Sequence, residues 1–121
     1  MREDGYGLSA GALLRELGLS PRRKGFVYLA WAASLTAEEI AQRGALPEHL
    51  CRKVAQHCGA TPAAVERTMR NAIAEIWRAG DPAVRKALFP RGTVSGRNIP
   101  PTAVFVRISA QTILLNWDRE S

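Results

Sequence analysis

A chain of 121 residues, 46% of them hydrophobic, has room for one domain around one core and little for a second. No apolar run approaches the ~20 residues of a membrane span. The start Met1-Arg2-Glu3-Asp4-Gly5 lacks the charged-then-apolar layout of a secretory signal, so the chain reads as cytoplasmic. The net charge of +6, carried by fourteen arginines against three lysines, points to a polyanionic partner. Many soluble domains are mildly basic, so the layout of the charges has to carry the rest.

Residues 1–7 are polar with two glycines and read as a disordered lead-in to a single helical domain over 8–118. Leu8, Leu13, Leu14 and Leu17 form a helical stripe that Gly18 ends. Ser20-Pro21 is a helix start, with serine as cap and proline at the first helical position. The run Phe26, Val27, Leu29, Ala30, Trp31, Ala33 then marks the central core helix. Arg22, Arg23 and Lys24 fall in its first turn, where cations oppose the helix dipole; such a cluster either faces an anion or is a solvated turn. Thr36 caps a further helical piece with Glu38 and Glu39 that closes near Gly44. Pro47 starts the next helix, with Leu50, Val54 and Ala55 on one face and Gly59 after its end. Thr61-Pro62 opens a helix to Ala79 before Gly80. Asp81-Pro82 repeats that signal for a short helix with Val84, Ala87, Leu88 and Phe89. Residues 90–101, with Pro90, Gly92, Gly96, Pro100 and Pro101, form a loop that brings Arg91 and Arg97 toward something anionic. Thr102 opens a last helix burying Val104, Phe105, Ile108, Ile113, Leu114 and Trp117. Val104, Val106 and Ile108 also alternate as a strand would, but no second strand is present to pair with them. The expected fold is all-α, about six helices with an embedded helix-turn-helix, winged-helix-like without a clear wing.

Cys51 and Cys58 are seven apart, which on one helix separates them by roughly 10 Å, too far for a disulfide. With His49 and His57 they suggest a metal site, but none of the four has a partner three or four residues away, where helical ligands converge. Two reduced, partly buried thiols and no metal are the better reading, and no cofactor is expected. The chain shows no nucleophile–base pair, no phosphate-binding glycine loop and no carboxylate constellation, so it is not read as an enzyme.

The informative segment is 46–79. Two helices, 47–58 and 62–79, are joined by Gly59-Ala60-Thr61, the layout of a helix-turn-helix. In that motif the second helix enters the major groove and its N-terminal residues meet base edges. At about 100° per residue, Val65, Met69, Ala72, Ile73 and Ile76 share one side with Trp77 at its margin. The other side carries Ala63, Ala64, Arg67, Asn71, Ala74 and Arg78, flanked by Arg70. The alanines allow close approach to the groove floor, while arginine suits guanine and asparagine suits adenine through paired hydrogen bonds. Free N–H groups at the helix start near Thr61 suit a phosphate. A plainer account also exists: Glu66 and Arg70 form a surface ion pair, Arg67 and Arg78 are solvated, and Asn71 bonds locally.

The run Thr61-Pro62-Ala63-Ala64-Val65-Glu66-Arg67-Thr68-Met69-Arg70-Asn71-Ala72-Ile73, with Trp77 to Gly80 after it, resembles the recognition helix of the C-terminal effector domain of the stage-zero sporulation response regulator. Leu14-x-x-Leu17-Gly18, Lys24-Gly25-Phe26-Val27-Tyr28-Leu29, Leu88-Phe89, Thr93-Val94-Ser95 and Pro101-Thr102 before Phe105 extend the similarity over about residues 10–117. The resemblance implies an all-α transcription factor domain that binds a short duplex element as tandem or paired copies. Its implied partners are double-stranded DNA and, beyond it, RNA polymerase or a second copy on tandem sites. By position, Glu66, Arg67 and Arg70 match the family's base- and backbone-contacting residues, and Thr61 its helix-start position.

The chain departs from the family pattern at Asn71, where the family has histidine, and at Ala64, where it has arginine. The segment before the helix-turn-helix is shorter, and Pro100-Pro101-Thr102-Ala103-Val104 replaces a more polar stretch. Seven residues before Leu8 cannot hold the family's phosphoacceptor domain, so the chain is expected to be a stand-alone relative or an excised effector domain. The reading is therefore a sequence-specific transcriptional regulator. Arg67 and Asn71 read bases, helped by Glu66 and Arg70, with Arg78 on the same face. Thr61, the Arg22–Lys24 cluster and Arg97 hold phosphates. The alternative, favoured by Ala64, is a protein-interaction adaptor or antagonist that kept the fold and lost operator binding.

Overall fold

The computed structural model describes residues 5–89 and 99–120, the side chains of 118–120 excepted. Six helices occur among the described residues: α1 (Tyr6–Glu16), α2 (Lys24–Arg43), α3 (Leu50–Cys58), α4 (Pro62–Ala79), α5 (Pro82–Leu88) and α6 (Thr102–Glu120). No strand occurs among them, so residues 103–108 are helical, and none of these helices is long and apolar enough to cross a membrane. α2 is the hub and packs against α1, α3, α4 and α6. Leu14, Leu17, Leu29, Val54, Val65, Met69, Ile73, Ile76 and Phe105 fill the space between them, each nearly inaccessible.

The caps that depend on one local side chain stand where the sequence places them. Thr61 Oγ1 accepts from the Ala64 N–H at 3.2 Å with Pro62 at the first helical position. Asp81 accepts from the Ala83 N–H at 2.9 Å ahead of α5. Gly44 and Gly59 end α2 and α3 in the left-handed conformation, which a residue without Cβ adopts without strain.

Several expected boundaries move. α1 begins at Tyr6, within the 1–7 stretch expected to precede the first helix, and Leu8 is 64% exposed rather than part of the stripe. Ser20-Pro21 does not open α2; it forms a turn in which the Ser20 carbonyl accepts from the Arg23 N–H at 3.1 Å, with proline in the position such turns favour. Helix α2 starts at Lys24, where Gly25 and Phe26 are the first residues to be buried, and Arg22 and Arg23 precede it. Val27, expected in the core, is 41% exposed. Thr36 caps nothing: the 20-residue α2 runs through it, and its buried hydroxyl has no hydrogen-bond partner among the described residues. A potential cap without a glycine or proline cannot interrupt a helix whose buried stripe continues through Ala32, Ala33 and Ala37. Pro47 likewise precedes α3 instead of starting it. His49, in the left-handed region at φ 54°, stands before Leu50, and the helix-turn-helix spans 50–79 rather than 46–79.

The approach of α2 to α4 rests on Gly25. A Cβ there would lie 2.5 Å from the Ala72 Cβ and 3.3 Å from the Thr68 carbonyl oxygen. Gly25→Ala is therefore expected to destabilise by about 1–3 kcal/mol from overpacking, less up to ~1 kcal/mol regained in helix propensity. Adding Ala72→Gly should restore part of the loss, measured as thermal midpoints of the two variants; equal midpoints would place the strain elsewhere.

Candidate nucleic-acid interface

Helix α4 turns Val65, Met69, Ala72, Ile73 and Ile76 into the core. That burial fixes its rotation and leaves Ala63, Arg67, Arg70, Asn71 and Arg78 exposed, with Ala64, Glu66, Thr68 and Ala74 half-buried beside them. Arg67 stands near the middle of this outer face with no ion-pair partner among the described residues. Asn71 lies one turn further on, about 6 Å along the axis.

The two flanks of the face differ. On one, Glu66 holds Arg70: its Nη1 lies 2.9 and 3.2 Å from the two carboxylate oxygens. A guanidinium has five N–H donors, so the pair sets the direction of Arg70 and leaves most of its donors for another acceptor. Beneath this pair lies an apolar cavity of about 800 Å³ between α3, α4 and the start of α6, walled by Leu50, Cys51, Met69, Pro100 and Val106. Burial, and secondarily the Glu66 carboxylate, raises the Cys51 thiol above its ordinary value; burial alone raises Cys58. Both cysteines are free thiols.

On the other flank the start of α2 comes up against α4. Arg23 Nη2 lies 2.7 Å from Glu75 Oε1, and Arg78 Nη2 lies 3.7 Å from the same oxygen. With Lys24, Thr68 and Asn71 they surround a cavity of about 320 Å³. Ion pairs this exposed contribute at most about 1 kcal/mol each, so their effect is placement: they bring the basic turn at 22–24 level with the outer face of α4. Glu75 was not among the residues singled out from the sequence. Its spacing to Arg78 is visible there, but its bond to Arg23 depends on α2 crossing α4 at Gly25.

The structure brings together Glu66, Arg67, Arg70, Asn71 and Arg78 on one helix face, with Thr61 at its start and Arg22–Lys24 beside it. Arg97 and Arg91 lie outside the described residues. The helix start is narrower as an anion site than expected. Pro62 has no N–H, Thr61 Oγ1 takes the Ala64 N–H, and the Thr61 carbonyl takes the Val65 N–H at 3.0 Å. Only the Ala63 N–H of the first turn remains for a phosphate. Arg78 is about 16 Å along the axis from Arg67, more than the ~12 Å width of a major groove. It cannot sit beside Arg67 on a groove floor entered by the N-terminus of α4.

An all-helical domain, a three-residue turn between α3 and α4, and a cationic outer face on α4 match the resemblance carried by the Val65-Glu66-Arg67 and Lys24-Gly25-Phe26 segments. The family described as "Sporulation initiation factor Spo0A C terminal" matches residues 11–113, from within α1 to within α6, and the chain belongs to this family of DNA-binding effector domains of a sporulation regulator.

Proposed function

We propose that the chain is a sequence-specific regulator that reads duplex DNA with the N-terminal half of α4. The observation that carries this reading is Arg67, exposed and unpaired among the described residues, one turn from the exposed Asn71 on a face bordered by small alanines. Each side chain offers the paired hydrogen bonds that distinguish one base pair from the others in the major groove. Arg70, aimed by Glu66, contacts either a base or the adjoining backbone. The Ala63 N–H, Arg22, Lys24 and Arg78 hold phosphates on the two sides of the groove, which fixes register and adds affinity without sequence information. Arg97 is proposed as a further phosphate contact from its position in the sequence.

The test is selection of the purified chain against a pool of random duplexes at two salt concentrations, followed by sequencing. The expected result is a short enriched motif that the Arg67→Ala variant fails to enrich. Weak, salt-sensitive binding with no motif would reject base reading and leave the face as a basic scaffold for a protein partner.

A further inference from the structure

The crossing of α2 over α4 gathers side chains from both helices around one carboxylate. Glu75 is half-buried, and its Oε1 takes Arg23, from the turn before α2, at 2.7 Å and Arg78, from the end of α4, at 3.7 Å. The two guanidinium groups therefore lie side by side, although their residues sit on different helices. Lys24, Thr68 and Asn71 complete the walls of the same small cavity. Both arginine side chains are mostly exposed, at 61% and 76%. Each guanidinium has five N–H donors, so the contact with Glu75 leaves most of them for another acceptor.

Three cations against one carboxylate leave these walls with a net positive charge. The first turn of α2 has no carboxylate of its own to hold the cations there, so the counter-charge comes from α4. Neither Arg23 nor Arg78 has another ion-pair partner among the described residues. Without Glu75 the two would repel one another, and long exposed side chains regain rotamer freedom when released. The other flank of α4 differs: the Glu66–Arg70 pair lies within one helix and orients a single cation.

We propose that Arg23 and Arg78 clamp a single backbone phosphate of the duplex between them, and that Glu75 is the positioning residue that holds both arginines in place for it. The proposal rests on duplex DNA lying along the outer face of α4. Guanidinium groups arriving from two helices meet the phosphate oxygens from two directions, and such charge-assisted bonds are the strong ones. Asn71 lines the same cavity, about 10 Å along the axis before Arg78. A phosphate fixed here therefore also fixes the register in which Asn71 meets a base. The effect of Glu75 is opposite in sign to that of an ordinary acidic residue beside DNA, whose charge repels phosphates.

The test is binding of the full chain to a scrambled duplex, where phosphate contacts supply most of the affinity, across a salt series for Glu75→Gln, Arg23→Ala and the two combined. Glu75→Gln removes a negative charge, yet it should weaken binding several-fold and lower the salt slope by about one. Arg23→Ala should weaken binding several-fold in the wild-type chain and by less than about twofold once Glu75→Gln is present, because the two act as a unit. Unchanged or tighter binding by Glu75→Gln, or equal losses from Arg23→Ala in both backgrounds, would overturn the proposal. If Glu75→Gln does not fold, the exchange of Arg23→Glu with Glu75→Arg decides: it keeps the ion pair and the net charge and should still bind several-fold more weakly. Wild-type binding by that exchange would reduce Glu75 to a brace for α2. Failure of base reading shows separately, as an Arg67→Ala variant that loses no preference for the selected duplex; a wild-type chain that binds no duplex would reject both.

Discussion

Arg67→Ala is expected to lower affinity for the selected duplex by about 5- to 150-fold, the equivalent of ~1–3 kcal/mol for one bidentate base contact. Affinity for a scrambled duplex should change far less, because phosphate contacts supply most of non-specific binding. Nothing in the fold should change: Arg67 is exposed, sits mid-helix and makes no ion pair among the described residues, so its removal costs no packing. Arg78→Ala supplies the contrast. A phosphate contact at the far end of α4 should weaken both duplexes about equally and reduce the salt slope by about one. Fluorescence anisotropy with the two duplexes at several salt concentrations separates these outcomes. A uniform loss for Arg67→Ala would move that residue from base reading to the backbone.

Phe105→Ala carries the largest expected loss of stability, about 3–5 kcal/mol. Phe105 is 1% exposed and completes a ring cluster that joins three helices: it stacks on Phe89 with centroids 5.2 Å apart and meets the edge of Trp77 at 6.1 Å, while Trp77 and Phe89 touch at 5.2 Å. Removing it leaves a cavity between the end of α4, the end of α5 and the first turns of α6. For a domain of this size the thermal midpoint should fall by roughly 10–20 °C. The N-terminal half of α4 rests instead on Val65 and Met69, so DNA affinity measured well below the new midpoint should fall much less than for Arg67→Ala. Circular dichroism melts alongside anisotropy check both halves of this statement. A small midpoint shift would mean that Trp77 and Phe89 close over the space.

Both predictions rest on features that differ in how far they were legible. The outer face of α4 follows from its own sequence, since burying five apolar residues at helical spacing leaves Arg67 and Asn71 nowhere to point but out. The partners of that face do not. The Arg23–Glu75 pair joins residues about fifty apart in the chain, and its formation requires the close crossing that Gly25 allows over Ala72. Likewise, a single aromatic such as Trp31 reads as core from its neighbours in sequence, and only the packing of α1, α3 and α6 around it shows a ring lining a cavity beside Tyr6 and Trp117.

By itself the sequence determined the all-α class, the resemblance to its family, and every boundary that one side chain sets on its own. The Thr61 and Asp81 caps and the left-handed glycines after α2 and α3 are of this kind, because a cap bonds within its own turn and needs nothing from elsewhere. The tertiary structure decided where a local signal had competition. Ser20-Pro21 became a turn, Thr36 was carried through the middle of α2, and α3 began at Leu50 instead of Pro47. In each case the propensity at stake is of order 1 kcal/mol, while burying a side chain such as Phe26, Leu29 or Val54 stabilises by about 1.5–3 kcal/mol. Where the two disagree, burial sets the helix ends, and with them which side chains stay exposed.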